Sequence, residues 1–486
     1  MKIPEEIIEI SRRLKKQGFA SYLVGGCVRA LLTKKEPKDW DIATDASPEQ
    51  ITELFDKTFY ENTFGTVTVV NEEAKDESLR HIEITPFRQE AKYSDKRHPD
   101  KVTFTTDLQT DLGRRDFTIN AIAYETDKGQ IIDPYKGQED IKDKIVRAVG
   151  QPKDRFEEDP LRILRGVRLA AELNFTINLE TTDAMVKSSK LLGFIAVERI
   201  RDEFSRILMS NNLMPGIVIL QKIGALKQFL PELEEGIGMK QNGDHKYEVW
   251  EHTLRVAQHA ADRYWPLHVR LAALFHDIGK PRTRKWGEEK KDWTFYGHDL
   301  VGAKMARKIM ERLRFTRNTT DTVEKLVRNH MFFTDIEKIT LSAVRRIIRN
   351  VGRENIWDLM KVRNCDRIGM GRPKESPYRL RKYESMIEEA MRDPTSVKML
   401  KINGEDVSHE TSLKPSPKIG YILHALLEEV LDNPSLNTES FLRNKAKELG
   451  LLPDEQLKKI GERGRGKKES IEQEELEKIR GKYGVK

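Results

Sequence analysis

The chain has 486 residues, more than one hydrophobic core usually supports, so two to four domains are expected. With 38% hydrophobic and 34% charged residues, and no apolar run near the roughly 20 residues that span a bilayer, a membrane protein is excluded. Cys27 and Cys365 are too few and too far apart for a disulfide framework or a thiolate zinc site, and the net charge of +7 favours an anionic partner.

The opening MKIPEEIIEISRRLKKQ alternates charged and aliphatic residues at helical spacing. It lacks the apolar stretch of a signal peptide, which points to a cytoplasmic protein. Strand-like runs follow, SYLVGG, GTVTVV, RHIEIT and AIAYE, separated by turn residues, so residues 1–145 read as an α+β domain with a mixed sheet. Gly25 and Gly26 stand between a strand and a helix-forming run that carries Arg29. Such glycines let backbone amides approach a phosphate, although an ordinary tight turn uses the same residues. Asp39 and Asp41 alternate along the strand-like DWDIAT, which brings both carboxylates to one face. Like charges held side by side favour a divalent cation between them, and Mg2+ is the expected occupant. In RHIEITPFR, Ile82 and Ile84 should face the core while Glu83 points to the polar side and joins the pair. Three carboxylates holding two metals would activate a 3′ hydroxyl and stabilise a leaving pyrophosphate.

These residues resemble the nucleotidyltransferase superfamily, specifically the bacterial type that includes tRNA CCA-adding enzymes and poly(A) polymerases. The resemblance implies a polymerase-β-like head with Asp39, Asp41 and Glu83 catalytic, and Gly25, Gly26 and Arg29 at the nucleotide. DLGRRDFTINAIAYE is similar to the family's ribose-recognising motif, which implies nucleotide contacts for Arg115 and Asp116. DPYKGQEDI is similar to the element that couples head and neck. The chain departs from the family at Ala30, where an acid usually follows the motif arginine.

Helical periodicity takes over in EEDPLRILRGVRLAAELNF and IRDEFSRILMS, so residues 146–240 read as an all-α neck and body. If the first stretch is one helix, Asp159, Arg162 and Arg165 share a face, with Glu158 beside Arg162; ordinary intrahelical ion pairs have the same spacing. Cytosine and adenine each present an amino donor beside a ring-nitrogen acceptor, so one carboxylate and one guanidinium can read either. Uracil and guanine present the reversed order. Asp159 and Arg162 would thereby select CTP and ATP, and the resemblance implies nucleotide binding by Arg165 and Arg168.

Residues 241–375 carry a second chemistry on a helical background. His252 lies on one expected helix, and the adjacent His276 and Asp277 end another before the breaker GKP. Downstream stand His298, His330 and Asp366. This resembles the HD superfamily of metal-dependent phosphohydrolases, which implies one metal on His252, His276, Asp277 and Asp366, and a second on His298 and His330. Manganese, nickel, iron, zinc or magnesium would suit these donors. His259 and His268 are expected to be structural. In relatives, such a fusion implies repair of tRNA ends blocked by a cyclic or 2′ phosphate. Residues 376–486 read as a helical region ending in a charged tail, punctuated by the loops GMGRPKESP and SLKPSPKIG.

The expected enzyme adds C, C and A to tRNA from CTP and ATP. It would bind the acceptor and TΨC arms by shape, with affinity falling as salt rises. A poly(A) polymerase or A-adding enzyme would carry the same head, and a flexible loop around Tyr93–Pro99 bears on that choice. The third alternative is an HD nucleotide hydrolase whose first domain only binds RNA.

Overall fold

The structure is a computed structural model that describes residues 2–61, 65–91, 101–241, 246–289, 291–331, 339–457 and 460. The loop expected around Tyr93–Pro99 and the tail beyond residue 460 lie outside the described residues. No helix among the described residues is long and apolar enough to cross a membrane. The chain divides into two compact units, one of residues 1–235, 261–267 and 309–315, the other of 236–260, 268–308 and 316 onward.

The first unit begins with helix α1 (Glu5–Lys16), strand β1 (Ser21–Val24), helix α2 (Gly26–Leu32) and strand β2 (Trp40–Thr44). Strands β3 (Thr58–Glu61), β4 (Thr66–Val70), β5 (His81–Pro86), β6 (Ala123–Glu125) and β7 (Gln130–Ile132) complete a mixed sheet in the order β3-β4-β5-β2-β1-β6-β7. Only β2 and β5 run parallel; the other neighbours are antiparallel. Period-two patterning assigns the faces. Ile42, Ile82 and Ile84 pack with Ile7 and Leu14 of α1 on one side, while Val24, Ala43, Leu112 and Ala121 pack on the other. In this register Asp41 pairs with Glu83 across β2 and β5. Ile82 and Ile84 are buried and Glu83 is exposed between them, as the strand pattern requires.

The neck departs from one expectation. Asp159 does not share a helical face with Arg162 and Arg165. It is the extended residue, φ −136° and ψ 99°, between helix α3 (Pro152–Glu158) and helix α4 (Leu161–Leu173). The cause is Pro160, whose ring disfavours helical geometry in the residue before it. The Asp159 side chain then turns back to accept from the Leu161 amide at 3.0 Å. Helix α5 (Val197–Met209) packs against α4.

Among the described residues, the second unit is helical apart from a short hairpin. Its centre is built from α6 (Val249–Asp262), α7 (Leu267–Phe275), strands β8 (Lys285–Gly287) and β9 (Asp292–Thr294), α8 (His298–Arg312), α9 (Arg317–Asn329) and α10 (Ile356–Gly369). The helices Gly404–Thr411, Pro417–Asp432 and Glu439–Gly450 enclose a separate core of Val407, Ile422, Leu426, Val430, Leu442 and Ala446. Both cysteines are buried free thiols.

Candidate active sites

The glycine turn of the first unit sits directly on the carboxylates. Gly25 caps α2 with φ +73°, a conformation that favours glycine, and a Cβ there would lie 3.2 Å from Asp41 Oδ2 and 3.3 Å from Arg115 Nη1. A Cβ on Gly26 would lie 3.5 Å from Asp39 Oδ1. Asp39 is exposed at the mouth of β2, Asp41 is half-buried beneath it, and Glu83 flanks Asp41 on the neighbouring strand. Burial, then the charges of Asp39 and Glu83, push the Asp41 carboxyl up to about 7, with Arg115 and Arg29 only partly opposing them. Three acids that repel one another on the adjacent interior strands β2 and β5 fit a bound divalent cation.

A chain of hydrogen bonds runs from this turn into the neck. Arg29 of α2 donates to the Asn120 side-chain oxygen. The Asn120 amide donates to Asp116 Oδ1 at 3.0 Å, and Arg165 of α4 grips Asp116 Oδ2 at 2.8 and 2.7 Å. Burial raises the Asp116 carboxyl, but the charge and hydrogen bonds of Arg165, with Asn120 and Arg162, outweigh it and hold the group well below the usual range. Burial lowers the Arg29 pKa; Asp116 and Asp39 oppose that shift, and Arg168 adds to it. Arg114 and Arg115 both clamp the buried Asp111, at 2.7 and 3.1 Å. Removing Arg165 strands the buried Asp116 charge. Arg165→Ala should therefore cost this unit on the order of 2 kcal/mol, discounted because the guanidinium is itself partly exposed. Chemical denaturation checks this, and an unchanged midpoint would contradict the pairing.

Asp159 and Arg162 are each held by partners, of which only Glu158 was legible in the sequence. Arg199 of α5 donates to Asp159 Oδ2 at 2.8 Å. Arg162 is held by Glu158 at 2.6 Å and by the Arg114 carbonyl at 3.2 Å. Arg168 is buried beside Glu203 of α5 at 3.3 Å. Asn120, Arg199 and Glu203 are the functional neighbours that motif spacing missed. Arg199 stands 40 residues from its partner and nothing in local periodicity links them.

In the second unit all six predicted side chains converge. His252 of α6 lies with its Nε2 3.2 Å from His276 Nε2 and 3.3 Å from Asp366 Oδ1. His298 and His330 bring their Nε2 atoms within 3.3 Å of each other. Asp277 stands between the two groups. Its Oδ2 is 3.2 Å from His252 and 3.1 Å from His276, and its Oδ1 is 3.3 Å from His298 and 3.8 Å from His330. The ligand atoms of His252, His276 and Asp366, and those of Asp277, His298 and His330, form two clusters, each within 4.8 Å. The helix α7 ends at Phe275, so His276 and Asp277 are freed from the 100° offset of adjacent helical residues.

Backbone carbonyls set the imidazoles. The Nδ1 atoms of His276, His298 and His330 lie 2.7, 2.7 and 2.6 Å from the carbonyls of Ala273, Phe295 and Val327. A carbonyl cannot donate, so each Nδ1 carries the proton and each Nε2 lone pair faces the cluster, which is the tautomer a metal needs. Lys280 contacts Asp277 Oδ2 at 2.6 Å, and Arg363 pairs with Asp366. Burial raises Asp277 and Asp366 and works to lower His252 and His330, leaving His330 well below its usual value. Cationic neighbours and hydrogen bonds nevertheless hold Asp277 and Asp366 well below their usual values, and the two acids raise His252 to about 9. This buried imidazole–carboxylate set fits divalent metal. His259 and His268 are not members; they pair with Glu375 at 3.4 Å and Asp358 at 2.7 Å.

Comparison with known proteins finds family matches in both units. Residues 21–147 match the Poly A polymerase head domain, 174–237 match the "Probable RNA and SrmB- binding site of polymerase A", and 249–371 match the HD domain. A CCA-adding enzyme of Lactococcus lactis subsp. lactis is 32% identical over 452 residues, covering 92% of this chain and 99% of that protein. A CC-adding tRNA nucleotidyltransferase of Thermus thermophilus is 33% identical over 84% of this chain and 89% of its own length. Among solved structures, the Bacillus stearothermophilus CCA-adding enzyme in complex with CTP superposes with a TM-score of 0.68 at 27% identity, covering 92% of this chain and 98% of that one. With a glycine turn on paired strand carboxylates, an HD centre, and relatives alike over nearly their whole length, the chain belongs to the bacterial CCA-adding enzyme family and is a tRNA nucleotidyltransferase.

Proposed function

We propose that this chain completes CCA at tRNA 3′ ends from CTP and ATP, and that its HD centre hydrolyses phosphates that block those ends. The observation that carries the first part is the register that sets Asp41 against Glu83 with Asp39 above, all beside the Gly25–Gly26 turn. Magnesium bound there would lower the pKa of the primer 3′ hydroxyl and neutralise triphosphate charge. Asp39, Asp41 and Glu83 hold the cation, and the α2 N-terminus with Arg29 faces the phosphates. Arg115 and Asp116 orient the sugar. Asp159 and Arg162 read the amino and ring-nitrogen edge that cytosine and adenine share, each preset by a partner, Arg199 or Glu158. Arg165 and Arg168 form the cationic wall behind them. UTP and GTP would leave polar groups unpaired at about 1–3 kcal/mol each.

The second part rests on Asp277 facing both histidine groups. Divalent metal on this set would activate water against a terminal phosphoester. His252, His276, Asp277 and Asp366 hold one ion, and His298 and His330 with the other oxygen of Asp277 hold the second. Four imidazoles favour a transition metal over magnesium. We assign the head to residues 1–145, neck and body to 146–240, the HD domain to 241–375 and a helical C-terminal region to 376–486. A tRNA substrate would keep the protein in the cytoplasm, and relatives solved with ATP and with tRNA support those partners.

The similarity to a CC-adding nucleotidyltransferase gives a second reading, in which ATP is not used. Incubating tRNA stripped of its terminal nucleotides with labelled CTP, ATP or both decides. Full restoration should need both nucleotides. Incorporation of CTP alone would select the CC-adding reading, and of ATP alone an A-adding enzyme or poly(A) polymerase.

A further inference from the structure

The hairpin β8–β9 is inserted between the HD dyad and His298, and the metal cluster does not use its side chains. Trp286 and Trp293 are direct cross-strand partners, edge to face with ring centroids 5.2 Å apart. The Arg284 guanidinium stacks on the Trp293 ring at 3.6 Å. Its Nε is buried without a hydrogen-bond partner, and no carboxylate pairs with it among the described residues. Trp286 is 49% exposed and Tyr296, at the end of the hairpin, is 44% exposed.

A cross-strand tryptophan pair alone serves to stabilise a two-stranded ribbon. The exposed indole and the unpaired stacked guanidinium are not explained that way. A guanidinium laid flat on an aromatic ring keeps its N–H donors in plane for an incoming phosphate, while an open indole face accepts any nucleobase. Lys285 adds positive charge at the base of the hairpin, and the acids Glu288, Glu289 and Asp292 stand towards its tip. The hairpin is also tied to the metal cluster. Phe295, next after β9, accepts from His298 Nδ1 and lies 5.6 Å from Lys280 Nζ. Trp293 precedes His298 by five residues, so the chain holds the two within about 18 Å, a span one short oligonucleotide covers.

We propose that Arg284, Trp286 and Trp293 form a nucleotide subsite that seats single-stranded RNA beside the HD centre, with Arg284 on a backbone phosphate and a base stacked on Trp286. The subsite serves the hydrolase proposed above and rests on that reading for its purpose, though not for its binding.

The test uses the full chain labelled with 5-fluorotryptophan, whose six indoles give resolvable 19F resonances; Trp286→Phe and Trp293→Phe assign two of them. Addition of a CCA trinucleotide bearing a 3′-phosphate should shift both assigned resonances. Arg284→Ala should weaken the apparent Kd read at Trp286 by about tenfold or more, and Arg284→Lys should restore only part of it. In parallel, Trp286→Ala should raise KM for a trinucleotide ending in a 2′,3′-cyclic phosphate by about tenfold, with bound metal and hydrolysis of bis(4-nitrophenyl) phosphate unchanged. Unshifted hairpin resonances, or equal losses on both substrates, would overturn the subsite. Shifted resonances without hydrolysis by the parent chain would leave the subsite standing and sink the hydrolase reading instead.

Discussion

Asp39→Ala or Asp41→Ala should lower kcat/KM for nucleotide addition by roughly a thousandfold or more, because the cation proposed between them would stabilise several kcal/mol of developing charge and each 1.36 kcal/mol is tenfold. The fold should survive, since Asp41 is a mutually repelled acid rather than a satisfied one. Its pKa of about 7 gives this a sign that can be checked. The folded value lies above the ordinary value of 3.8, so the folded chain holds the proton more tightly. Stability of the metal-free chain should fall as pH rises from about 4 through about 7. Asp41→Asn should flatten that slope. Magnesium should restore stability at pH 8 and do so less effectively at pH 6, where the proton competes for the same oxygen. Thermal melts across pH, with EDTA or with magnesium, test the sequence; a melting profile that Asp41→Asn leaves unaltered would contradict the charge arrangement.

Asp277→Asn should remove metal from both halves of the HD centre, since one oxygen faces each histidine group. Hydrolysis of cyclic-phosphate ends should drop by more than about a hundredfold, beyond the effect of losing an outer hydrogen bond. His330→Ala touches only one group and should lose about one equivalent of metal while the other stays bound. Metal content by elemental analysis distinguishes the two variants. Addition of CTP and ATP should continue in both, because the proposed cation of the first unit would be held by other carboxylates. Equal metal loss from both variants would show that Asp277 does not link two separate sites.

Legibility in the sequence followed the range of the physical signal. Period-two alternation in DWDIAT and RHIEIT placed Asp39, Asp41 and Glu83 on one face, because side-chain direction along a strand needs only neighbouring residues. The glycine pair was readable for the same reason. The HD ligands could be picked out as a set, yet the carbonyls of Ala273, Phe295 and Val327 that fix their tautomers could not, since those bonds depend on how each helix ends. Asp159 was misplaced because helical spacing was extended across Pro160, although the proline itself announced the break. Arg199 and Glu203 were invisible. They reach Asp159 and Arg168 only through the packing of α5 on α4.

The hub role of Asp116 shows the same limit. Its place beside Arg115 in the motif was plain, but its partners Asn120 and Arg165 join three separate elements. A buried carboxylate fixed from both sides transmits the position of the glycine turn to the helix that carries Arg162.

Whether Asp39 and Asp41 gather a cation beneath the triphosphate can be read from anomalous diffraction by crystals of the protein grown with CTP and Mn2+. A strong peak is expected within coordination distance of Asp39 and Asp41, with Glu83 on its flank and the triphosphate alongside. Ordered CTP with no anomalous signal at those carboxylates would contradict it.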